Sequence, residues 1–328
     1  MSAPSRLPDT FLGYRRADGG AGIRNYLLVV PSVVCANTVA QRVASLIPGA
    51  VSIPHPHGCA QVGDDVVLTE KVLAGAAANP NVGAALVIGL GCETCQSGEV
   101  ANLARALAPG KPVESFSIQD AGGSIKAISQ GVEAGMRLMA QIAPQQREPI
   151  PVTELLLARN RDHEDETTEH AADPVADAVV DMMLASGGSV IVPDFLAPLP
   201  QRITAISFAE RPRGKGRHVM QTPDAGSVAV SAMAAGGAQL CLFTTGSGSP
   251  LGNAVCPVIK VCANPETNRR MADNIDFAPS DLLGGGTDAD GSAERLYALL
   301  LDVSSGQLTN AEMIGHQEFA VHRAGPTV

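Results

Sequence analysis

The run AALVIGL, residues 84–90, and the run YLLVVP, residues 26–31, decide the fold. Each is a short, continuous apolar stretch, as expected of a strand that is buried on both faces. A helical spacing of apolar residues follows each run, over Ala36–Ile47 and over Ser97–Ala108. Because strands and helices alternate along the chain, the sequence predicts an α/β fold with mainly parallel sheets flanked by helices.

The second half of the chain repeats this alternation. Pro174–Leu184 and Ala225–Ala235 have helical spacing, whereas Ser189–Val192 and Gln239–Thr244 are typical of strands. With 328 residues, the chain exceeds the usual size of a single core, so we expect two domains. The predicted division is an N-terminal domain over residues 1–158, a linker or loop over residues 159–173, and a C-terminal domain over residues 174–328.

The predicted linker has a distinctive composition. Its sequence, RNRDHEDETTEHAAD, contains six acidic residues and almost no apolar ones. Such a run is typical of a solvated loop between domains, although six carboxylates could also attract a cation. We favour the solvated loop, because nothing in the sequence places these residues at strand ends.

The composition argues against several classes of partner. The net charge is −10, aromatic residues make up 3% and Trp is absent, which disfavours binding to nucleic acid. No apolar window approaches the length of a membrane span, and the N-terminus lacks the layout of a secretory signal. Seven cysteines, an odd number, suit reduced thiols better than a disulfide framework. We therefore expect a cytoplasmic protein without membrane or nucleic-acid partners.

Three polar loops follow predicted strands, at the end of the sheet where ligands bind in open α/β folds. The first loop, Pro54–Cys59, carries His55, His57 and Cys59. Imidazole and thiolate both bind divalent metals such as Fe²⁺ or Zn²⁺. The spacing is not that of a zinc finger, and a plain turn with surface histidines is the alternative.

The second loop, Gly91–Cys95, lies between a predicted strand and a predicted helix. Cys92 and Glu93 suit metal binding and acid–base chemistry. Cys92 and Cys95 also have the spacing and placement of a thioredoxin-like redox pair. A small buried cysteine without chemical function is the third interpretation.

The third loop, Thr244–Gly252, is rich in Gly and Ser. Its backbone amides and hydroxyls would suit a carboxylate or a phosphate. The glycine spacing and the β-like run that follows argue against a site for NAD, and a mobile glycine loop is the alternative. Lys260, within that run, needs an anion unless its ammonium group reaches the surface. Arg24 could hold a carboxylate through its planar guanidinium, or it could pair with a nearby acid.

Four ordered stretches of the chain resemble one family. They are GYRRADGGAGIRNYLLVVPSV, HPHGCAQVGDD, GLGCE and FTTGSGSPLGNAVCPVIKVCANPETNRRMADNIDF, which lie between residues 13 and 277. In this order they resemble the large-subunit region of the altronate/galactarate dehydratase family. The resemblance implies a hydro-lyase that uses a divalent metal, most often Fe²⁺ with Mn²⁺ or Zn²⁺ possible, and no NAD. It also implies a small hydroxy acid as substrate, a separate small subunit and a homo-oligomer.

The resemblance also implies roles for individual residues. A lyase of this kind removes the proton α to a carboxylate and then expels hydroxide, so it needs a metal or other charge to stabilise the enediolate, and an acid and a base. The expected metal ligands are His55, Cys59 and Cys92. The expected catalytic residues are His57, Glu93 and Lys260. The expected substrate-binding residues are Arg24, Asn25, Thr244, Thr245, Gly246, Ser247, Gly248 and Asn264.

One departure from the family keeps other functions open. The family carries a Cys-Gly-Gly-Ser-Asp motif in its middle, and this chain has the acidic segment 159–173 there instead. Cys95, Cys256 or Cys262 could complete the site in its place. Alternatively, the chain is a non-catalytic or regulatory scaffold. A large subunit of sulfolactate sulfo-lyase, which is a relative within the family, and a thiol oxidoreductase are the remaining possibilities.

Overall fold

The computed structural model describes residues 8–162, 165–196, 204–222, 226–279, 282, 289–323 and 325. The strands within these ranges are β1 Thr10–Arg15, β2 Ala21–Gly22, β3 Tyr26–Pro31, β4 Ala50–Ser52, β5 Val82–Gly89, β6 Val113–Ser117, β7 Glu148–Pro151, β8 Leu156–Arg161, β9 Ser189–Pro193, β10 Thr204–Ile206, β11 Gly216–Met220, β12 Leu240–Thr244 and β13 Val258–Val261. The helices are α1 Asn37–Ser45, α2 Asp64–Ala78, α3 Ser97–Leu107, α4 Ser124–Ile142, α5 Asp173–Ala185, α6 Ser227–Ala235, α7 Pro265–Arg270, α8 Ala289–Ser304 and α9 Asn310–Ile314.

The N-terminal half contains a four-stranded parallel sheet with the strand order β4-β3-β5-β6. Helices α1 and α4 cover one face, and α2 and α3 cover the other. From β3 the chain winds outward to β4 and then returns to add β5 and β6. The winding direction therefore changes between β3 and β5, and their carboxyl ends form the crevice where such folds bind ligands.

The second half contains a six-stranded parallel sheet with the order β10-β11-β9-β8-β12-β13. Helices α5 and α8 pack on one face, and α6 packs on the other. Winding changes direction between β8 and β12. The predicted α/β fold with mainly parallel sheets is confirmed, and β13 lies at the sheet edge, as Pro257 just before it favours.

A third, antiparallel sheet with the order β2-β1-β7 was not predicted from the sequence. Its strands are short and two of the four residues of β7 are prolines, so no apolar alternation marks them. Helix α2 was also missed. Nine of its residues are buried, because it lies between the two parallel sheets rather than on the surface, and its amphipathic pattern is correspondingly weak.

The two parallel sheets share one apolar core. Helix α2 packs directly on α6, and the core that surrounds them contains residues from both sheets. At the closest approach, a Cβ placed on Gly75 would lie 2.5 Å from the carbonyl oxygen of Ala235, so only glycine permits this crossing. Buried Asn79 and Asn81 add side-chain bonds to backbone carbonyls of the second half. The division into two domains stays a prediction.

The interpretation of residues 159–173 as a solvated linker is wrong for the residues that the structure describes. Residues 159–161 are the end of β8, a central strand, and Arg159 and Asn160 are buried. A π-helical turn, Thr168–Ala172, leads directly into α5, which begins at Asp173. The charges of Arg159, Arg161 and Asp173 do not require solvent, because both arginines pair with Asp173, whereas Glu166 and Glu169 are exposed. His163 and Glu164 lie outside the described residues.

Among the described residues, no helix is long and apolar enough to cross a membrane.

Candidate functional site

The first two polar loops meet where β3 and β5 end. The carbonyl oxygen of Gly58 accepts hydrogen bonds from the amides of Thr94 and Cys95, both at 3.1 Å. Gly58 has φ +98°, and a Cβ there would lie 2.2 Å from the carbonyl oxygen of Ser32. Glycine thus allows the loop after β4 to contact the end of β3 while bonding to the loop after β5. These contacts assemble one site from three strand ends.

Glu93 is buried in this crevice and holds its own loop together. Its carboxylate accepts bonds from the hydroxyl of Ser32 at 2.9 Å, the amide of Leu90 at 3.1 Å and the amide of Gly91. Both oxygens are therefore engaged by protein donors. This arrangement favours a role in positioning the loop over the direct proton transfer expected from the sequence.

His55 is buried with both ring nitrogens bonded to the backbone. Because a carbonyl only accepts, Nε2 donates its hydrogen to Pro31 at 2.7 Å, and Nδ1 accepts the amide of His57 at 3.2 Å. Burial, the largest influence, lowers the pKa of His55 to about 4. The ring is neutral and has no nitrogen free for a metal, so the expectation that His55 is a ligand does not fit this geometry.

His57 is oriented differently. Its Nε2 donates to the carbonyl of Val321 at 3.1 Å, which places the ring hydrogen on Nε2 and leaves the lone pair on Nδ1. Burial lowers the pKa of His57 by more than this hydrogen bond raises it. A neutral imidazole with an available basic nitrogen is the form that a general base requires.

The cysteines divide into exposed and buried groups. Cys59 and Cys92 are exposed on the two adjoining loops, whereas Cys95 is buried. Burial, followed by the nearby Glu70 and Glu93, raises the pKa of Cys95 to about 12. This disfavours a redox pair of Cys92 and Cys95, since exchange requires a thiolate.

Cys256 and Cys262, the other cysteines expected to complete the site, are also buried. They lie beside β13 in the second half, and burial raises the pKa of Cys262 to about 11 and the pKa of Cys256 well above its ordinary value. Among the residues that the structure describes, no three His, Cys, Asp or Glu side chains form a group that could hold a metal ion. The expected set of His55, Cys59 and Cys92 is therefore not assembled.

The third loop, after β12, is filled by the protein's own groups. The hydroxyl of Thr245 accepts the amides of Gly248 at 3.0 Å and Ser249 at 3.2 Å, so the Gly248 amide is not open to an anion. The carboxylate of Asp165 packs on Gly246, where a Cβ would lie 2.7 Å from its Cγ atom. The carboxylate of a substrate bound beside Gly246 would therefore be repelled by the negative charge of Asp165. Ser247 and Pro250 are the exposed residues of the loop.

Asp165 is held there by several donors. It accepts from Asn264 Nδ2 at 2.9 Å, from the amide of Thr168 at 2.8 Å and from the hydroxyls of Thr167 and Thr168. Burial raises its pKa, but these bonds lower it further, to about 2. Asn264 also caps α7 through the amides of Glu266 and Thr267. Asn264 thus orders the loop through Asp165.

Arg24 and Asn25 lie away from the crevice, and their side chains are hydrogen-bonded to other parts of the protein. Arg24 donates to both carboxylate oxygens of Glu312, at 2.7 and 2.8 Å, and to three backbone carbonyls, which uses all five of its N–H groups. Asn25 bonds the side chain of Arg16 and the carbonyl of Ile142. The structure supports the alternative in which Arg24 pairs with an acid, rather than substrate binding.

Lys260 is fully buried in β13. Its ammonium group donates to the carbonyl of Leu251 at 3.2 Å, and the carboxylates of Asp276 and Glu318 partly offset a pKa that burial lowers. The side chain therefore does not reach the surface, and the carboxylates of Asp276 and Glu318 are the anions that partly compensate its charge. Its position under the Leu251 backbone indicates support of the third loop rather than contact with substrate.

Residues 316–323, near the C-terminus, connect the two regions and were missed by sequence reasoning. Val321 bonds His57, while Glu318 accepts the amide of Gly252 at 2.8 Å and, through its carbonyl, the side chain of Asn253. The segment has no regular secondary structure, so neither helical nor strand periodicity could have revealed it. Its contacts with His57, Gly252 and Asn253 are long-range.

This geometry defines a doubly wound α/β protein whose exposed thiols and one available imidazole lie at the crevice between β3 and β5. Two sequence models of one family match the chain: D-galactarate dehydratase/altronate hydrolase, second domain, over residues 13–143, and D-galactarate/altronate dehydratase, C-terminal, over residues 201–327. The chain belongs to the galactarate/altronate dehydratase family.

Three relatives illustrate the range of the family. The chain is 29% identical to (2R)-sulfolactate sulfo-lyase subunit beta of Chromohalobacter salexigens, over 96% of this chain and 97% of the relative. It is 28% identical to altronate dehydratase of Bacillus subtilis and 25% identical to altronate dehydratase of Escherichia coli, each over 78% of the relative. The first alignment extends over 383 residues, more than the 328 of this chain, so that relative has segments that this chain lacks.

The departure in the middle of the chain coincides with the region that neither family model matches, residues 144–200. This region contains β8 and α5, and with them the acidic segment 159–173.

Proposed function

We propose that the chain is a lyase that eliminates water from a hydroxylated carboxylic acid such as a sugar acid. The observation that carries this proposal is that the loop of His57 and Cys59 meets the loop of Cys92 through the Gly58 carbonyl, at the crevice of the first sheet, in a member of a dehydratase family. Three groups suited to proton transfer and charge stabilisation thus lie where the fold binds ligands.

In the proposed reaction, His57 takes the proton α to the carboxylate through Nδ1. The C–H electron pair becomes the enediolate, which then forms a carbon–carbon double bond as the neighbouring C–O bond breaks and hydroxide leaves. Glu93 fixes the loop of Cys92 through the Leu90 and Gly91 amides. Val321 fixes the tautomer of His57. The chain's contribution is a base in the correct tautomer beside two exposed thiols.

A divalent metal is part of the proposal, with Fe²⁺ as the first candidate and Mn²⁺ or Zn²⁺ as alternatives. Cys59 and Cys92 would hold it, because thiolate sulfur suits Fe²⁺ and Zn²⁺ and both side chains are exposed on adjoining loops. His55 does not fit this set, since both of its ring nitrogens bond the backbone. When bound, the metal would act as a Lewis acid toward the carboxylate and hydroxyl oxygens of the substrate.

A specific observation favours a second candidate, a sulfo-lyase subunit. The sulfolactate sulfo-lyase subunit beta and this chain cover each other almost completely, whereas the altronate dehydratases have further sequence that this chain does not match. In this alternative, sulfite leaves in place of hydroxide. The relative is named as a subunit, which supports the proposal that a separately encoded small subunit binds this chain. Assembly as a homo-oligomer also stays a prediction.

The test compares three substrates with one protein. Purified chain, supplied anaerobically with Fe²⁺, is incubated with galactarate, altronate and (2R)-sulfolactate, and keto-acid and sulfite release are measured. Keto-acid formation from a sugar acid supports the dehydratase, and sulfite release supports the second candidate. Metal content by elemental analysis reports separately on the proposed metal.

Variants then locate the chemistry. Cys59→Ser and Cys92→Ser are expected to reduce both turnover and bound metal, whereas Arg137→Gln, at an exposed residue of α4 that pairs with Glu114, should leave both unchanged. Full turnover in both site variants would contradict the proposed thiol role. If none of the three substrates reacts, with or without a co-purifying subunit, the non-catalytic scaffold is the correct interpretation.

A further inference from the structure

A cavity of about 550 Å³ lies at the joint between the two halves of the chain. Helices α2 and α3 line one side of it, and the other side is formed by the end of α6 and by the loop between β10 and β11. Its apolar lining includes Val67, Ala78, Leu103, Leu107, Ala209 and Ala235. We call it the joint cavity. None of its described lining residues belongs to the three polar loops, so the reaction proposed above does not use it.

The joint cavity is open because its deepest residues are small. Ala78 and Ala235 are 5% and 6% exposed, and Gly75 lies where α2 crosses α6 at Ala235. The carbonyl oxygen of Ala235 leaves no room for a side chain at Gly75, and the positive φ of Gly237, +99°, disfavours one there. The close helix crossing therefore creates a recess that its own residues cannot fill.

Two large apolar side chains of the joint cavity are exposed. Val67 on α2 is 60% exposed, and Leu103 on α3 is 37% exposed. Single exposed apolar residues, such as Ile125 on α4, are common on protein surfaces, but Val67 and Leu103 line one cavity whose walls are mainly apolar. Covering apolar surface contributes about 25 cal/mol per Å², so an apolar occupant is stabilised here.

The charged groups around the joint cavity compensate one another. Among the described residues, three bases and three acids line or adjoin it, namely Lys71, Arg211, Arg213, Glu70, Glu210 and Asp18. The carboxylate of Glu210 interacts with the charges of Lys71 and Arg213, and Arg211 lies 3.9 Å from Asp18. Because neither sign is in excess, the cavity has no net charge that attracts a small ion, and an uncharged occupant is favoured.

The wall formed by the loop between β10 and β11 is fixed before any ligand binds. The amide of Ser207 donates to the carboxylate of Glu210, and the amide of Glu210 donates to the carbonyl of Ser207, both at 3.0 Å. Arg211 anchors the loop to α3 by donating to the carbonyl of Leu107 at 3.1 Å. Pre-formed and mainly apolar cavities of about 300–1,000 Å³ are typical sites for small molecules, which points to a small molecule as the occupant.

We propose that the joint cavity binds a small, uncharged and largely apolar organic molecule, at a site separate from the crevice of the lyase reaction. The apolar body of the ligand lies between α2, α3 and the end of α6, and it covers Val67 and Leu103. Because such a ligand touches both halves of the chain, its binding stabilises their joint. This site is independent of the proposed function and does not require turnover.

The experiment measures binding to the full chain by fluorescence, with two probes that share one ring system. N-phenyl-1-naphthylamine is uncharged, and 8-anilinonaphthalene-1-sulfonate carries an added sulfonate. We expect saturable binding of the uncharged probe, with an affinity that does not fall as salt is added and that is at least equal to the affinity of the sulfonate. The midpoint of thermal unfolding should rise with the concentration of the uncharged probe. Absence of saturable binding, or tighter binding of the sulfonate with an affinity that falls as salt is added, would overturn the proposal.

Variants locate the bound probe. Val67→Glu places a charge against the apolar body of the probe and should weaken binding at least about tenfold, and Leu103→Gln should weaken it in the same direction. Ile125→Glu makes the same kind of change at a residue of α4 that is 87% exposed and does not line the cavity, so this matched control should bind normally. His57→Asn should also bind normally, because it changes the other site.

Two results would contradict the assignment to the joint cavity. The first is equal affinity in Val67→Glu and the wild type, with thermal unfolding in the absence of probe as the check that each variant is folded. The second is self-association of the chain that Val67→Glu abolishes, without saturable binding of the probe, which would assign this surface to a second copy of the chain instead.

Discussion

At the scale of single residues, His55 and His57 are two positions apart in the sequence but differ in whether a ring nitrogen is available for chemistry. Both are held by carbonyl oxygens, which fixes the hydrogen on Nε2 in each case. They differ at Nδ1, since in His55 this nitrogen accepts the amide of His57. The sequence PHPHGC predicted both histidines as site residues. It could not show which imidazole has both nitrogens hydrogen-bonded to the backbone, because Pro31 and Val321 are distant in sequence.

Replacement of His57 tests the proposed base. His57→Asn should reduce turnover by about 10²- to 10⁴-fold, the usual contribution of a general base. Because the pKa of His57 lies below its ordinary value of 6.5, the imidazole stays neutral into mildly acidic solution. The acid limb of kcat/KM against pH should therefore have its midpoint below pH 6.5. His170→Asn, at an exposed histidine, is the control, and a midpoint above 6.5 would contradict the assignment.

His55 should make stability depend on pH. The pKa of His55 is about 4 in the folded protein, below the ordinary value of 6.5 that an exposed histidine has in the unfolded chain, so the unfolded chain binds a proton more readily between these two pH values. Folding is therefore stabilised by His55 above pH 6.5, and this contribution is lost as pH falls toward 4. The expected loss is about 2 to 3 kcal/mol. Urea unfolding of wild type and His55→Gln at both pH values measures it; equal pH dependence of the two proteins would contradict it.

At the scale of elements, the alternation of apolar runs predicted the framework of the two parallel sheets. The strand Tyr26–Pro31 was predicted with its observed bounds, and α5 and β9 differ from prediction by one residue at their ends. Buried parallel strands are continuous apolar runs, which makes them visible in a sequence. The strand β8, Leu156–Arg161, was not predicted, and its second half gives no apolar signal because Arg159 and Arg161 form buried ion pairs in place of apolar contacts.

Asp173 tests whether this segment is part of the fold. Burial raises the pKa of Asp173, but Arg159, Thr244 and Arg161 together lower it by more. Asp173→Asn would leave the buried Arg159 without its main counter-charge, and we expect a loss of about 3–5 kcal/mol in the free energy of unfolding. Asp177→Asn, at the exposed partner of Arg159, should cost less than about 1 kcal/mol. If the segment were a flexible linker, both variants would instead lose small and similar amounts of the free energy of unfolding.

The candidate site was predicted in part, and the errors have a common cause. The loops 54–59 and 91–95 do meet, because sequence position after a strand fixes which edge of the sheet a loop occupies. The roles expected of Arg24 and Lys260 stay predictions, and the partners that the structure gives them, Glu312 and the Leu251 carbonyl, are set by tertiary contacts that the sequence does not show. Residue type shows which chemistry is possible, whereas contacts decide whether the group is available for it.

At the scale of the whole molecule, the two sheets are joined by a helix pair and by the C-terminal segment. Residues 316–323 bond His57 on one side and Gly252 on the other, so the orientation of the proposed base depends on the second half of the chain. The α2–α6 contact keeps the halves in register. A change at this contact should therefore affect both the stability of the molecule and the site.

The α2–α6 crossing can be tested with two glycine substitutions in helices. Gly75→Ala places a Cβ 2.5 Å from the Ala235 carbonyl, so α2 and α6 must separate. Such overpacking should lower the free energy of unfolding by about 1–3 kcal/mol. Gly98→Ala in α3 is the matched control, since a Cβ there meets nothing within 4 Å, and stability should be unchanged or slightly higher. Denaturant unfolding of both variants measures the difference. If the halves depend on each other as the contacts indicate, Gly75→Ala will unfold in one transition at lower denaturant; two separate transitions would show that the halves fold independently.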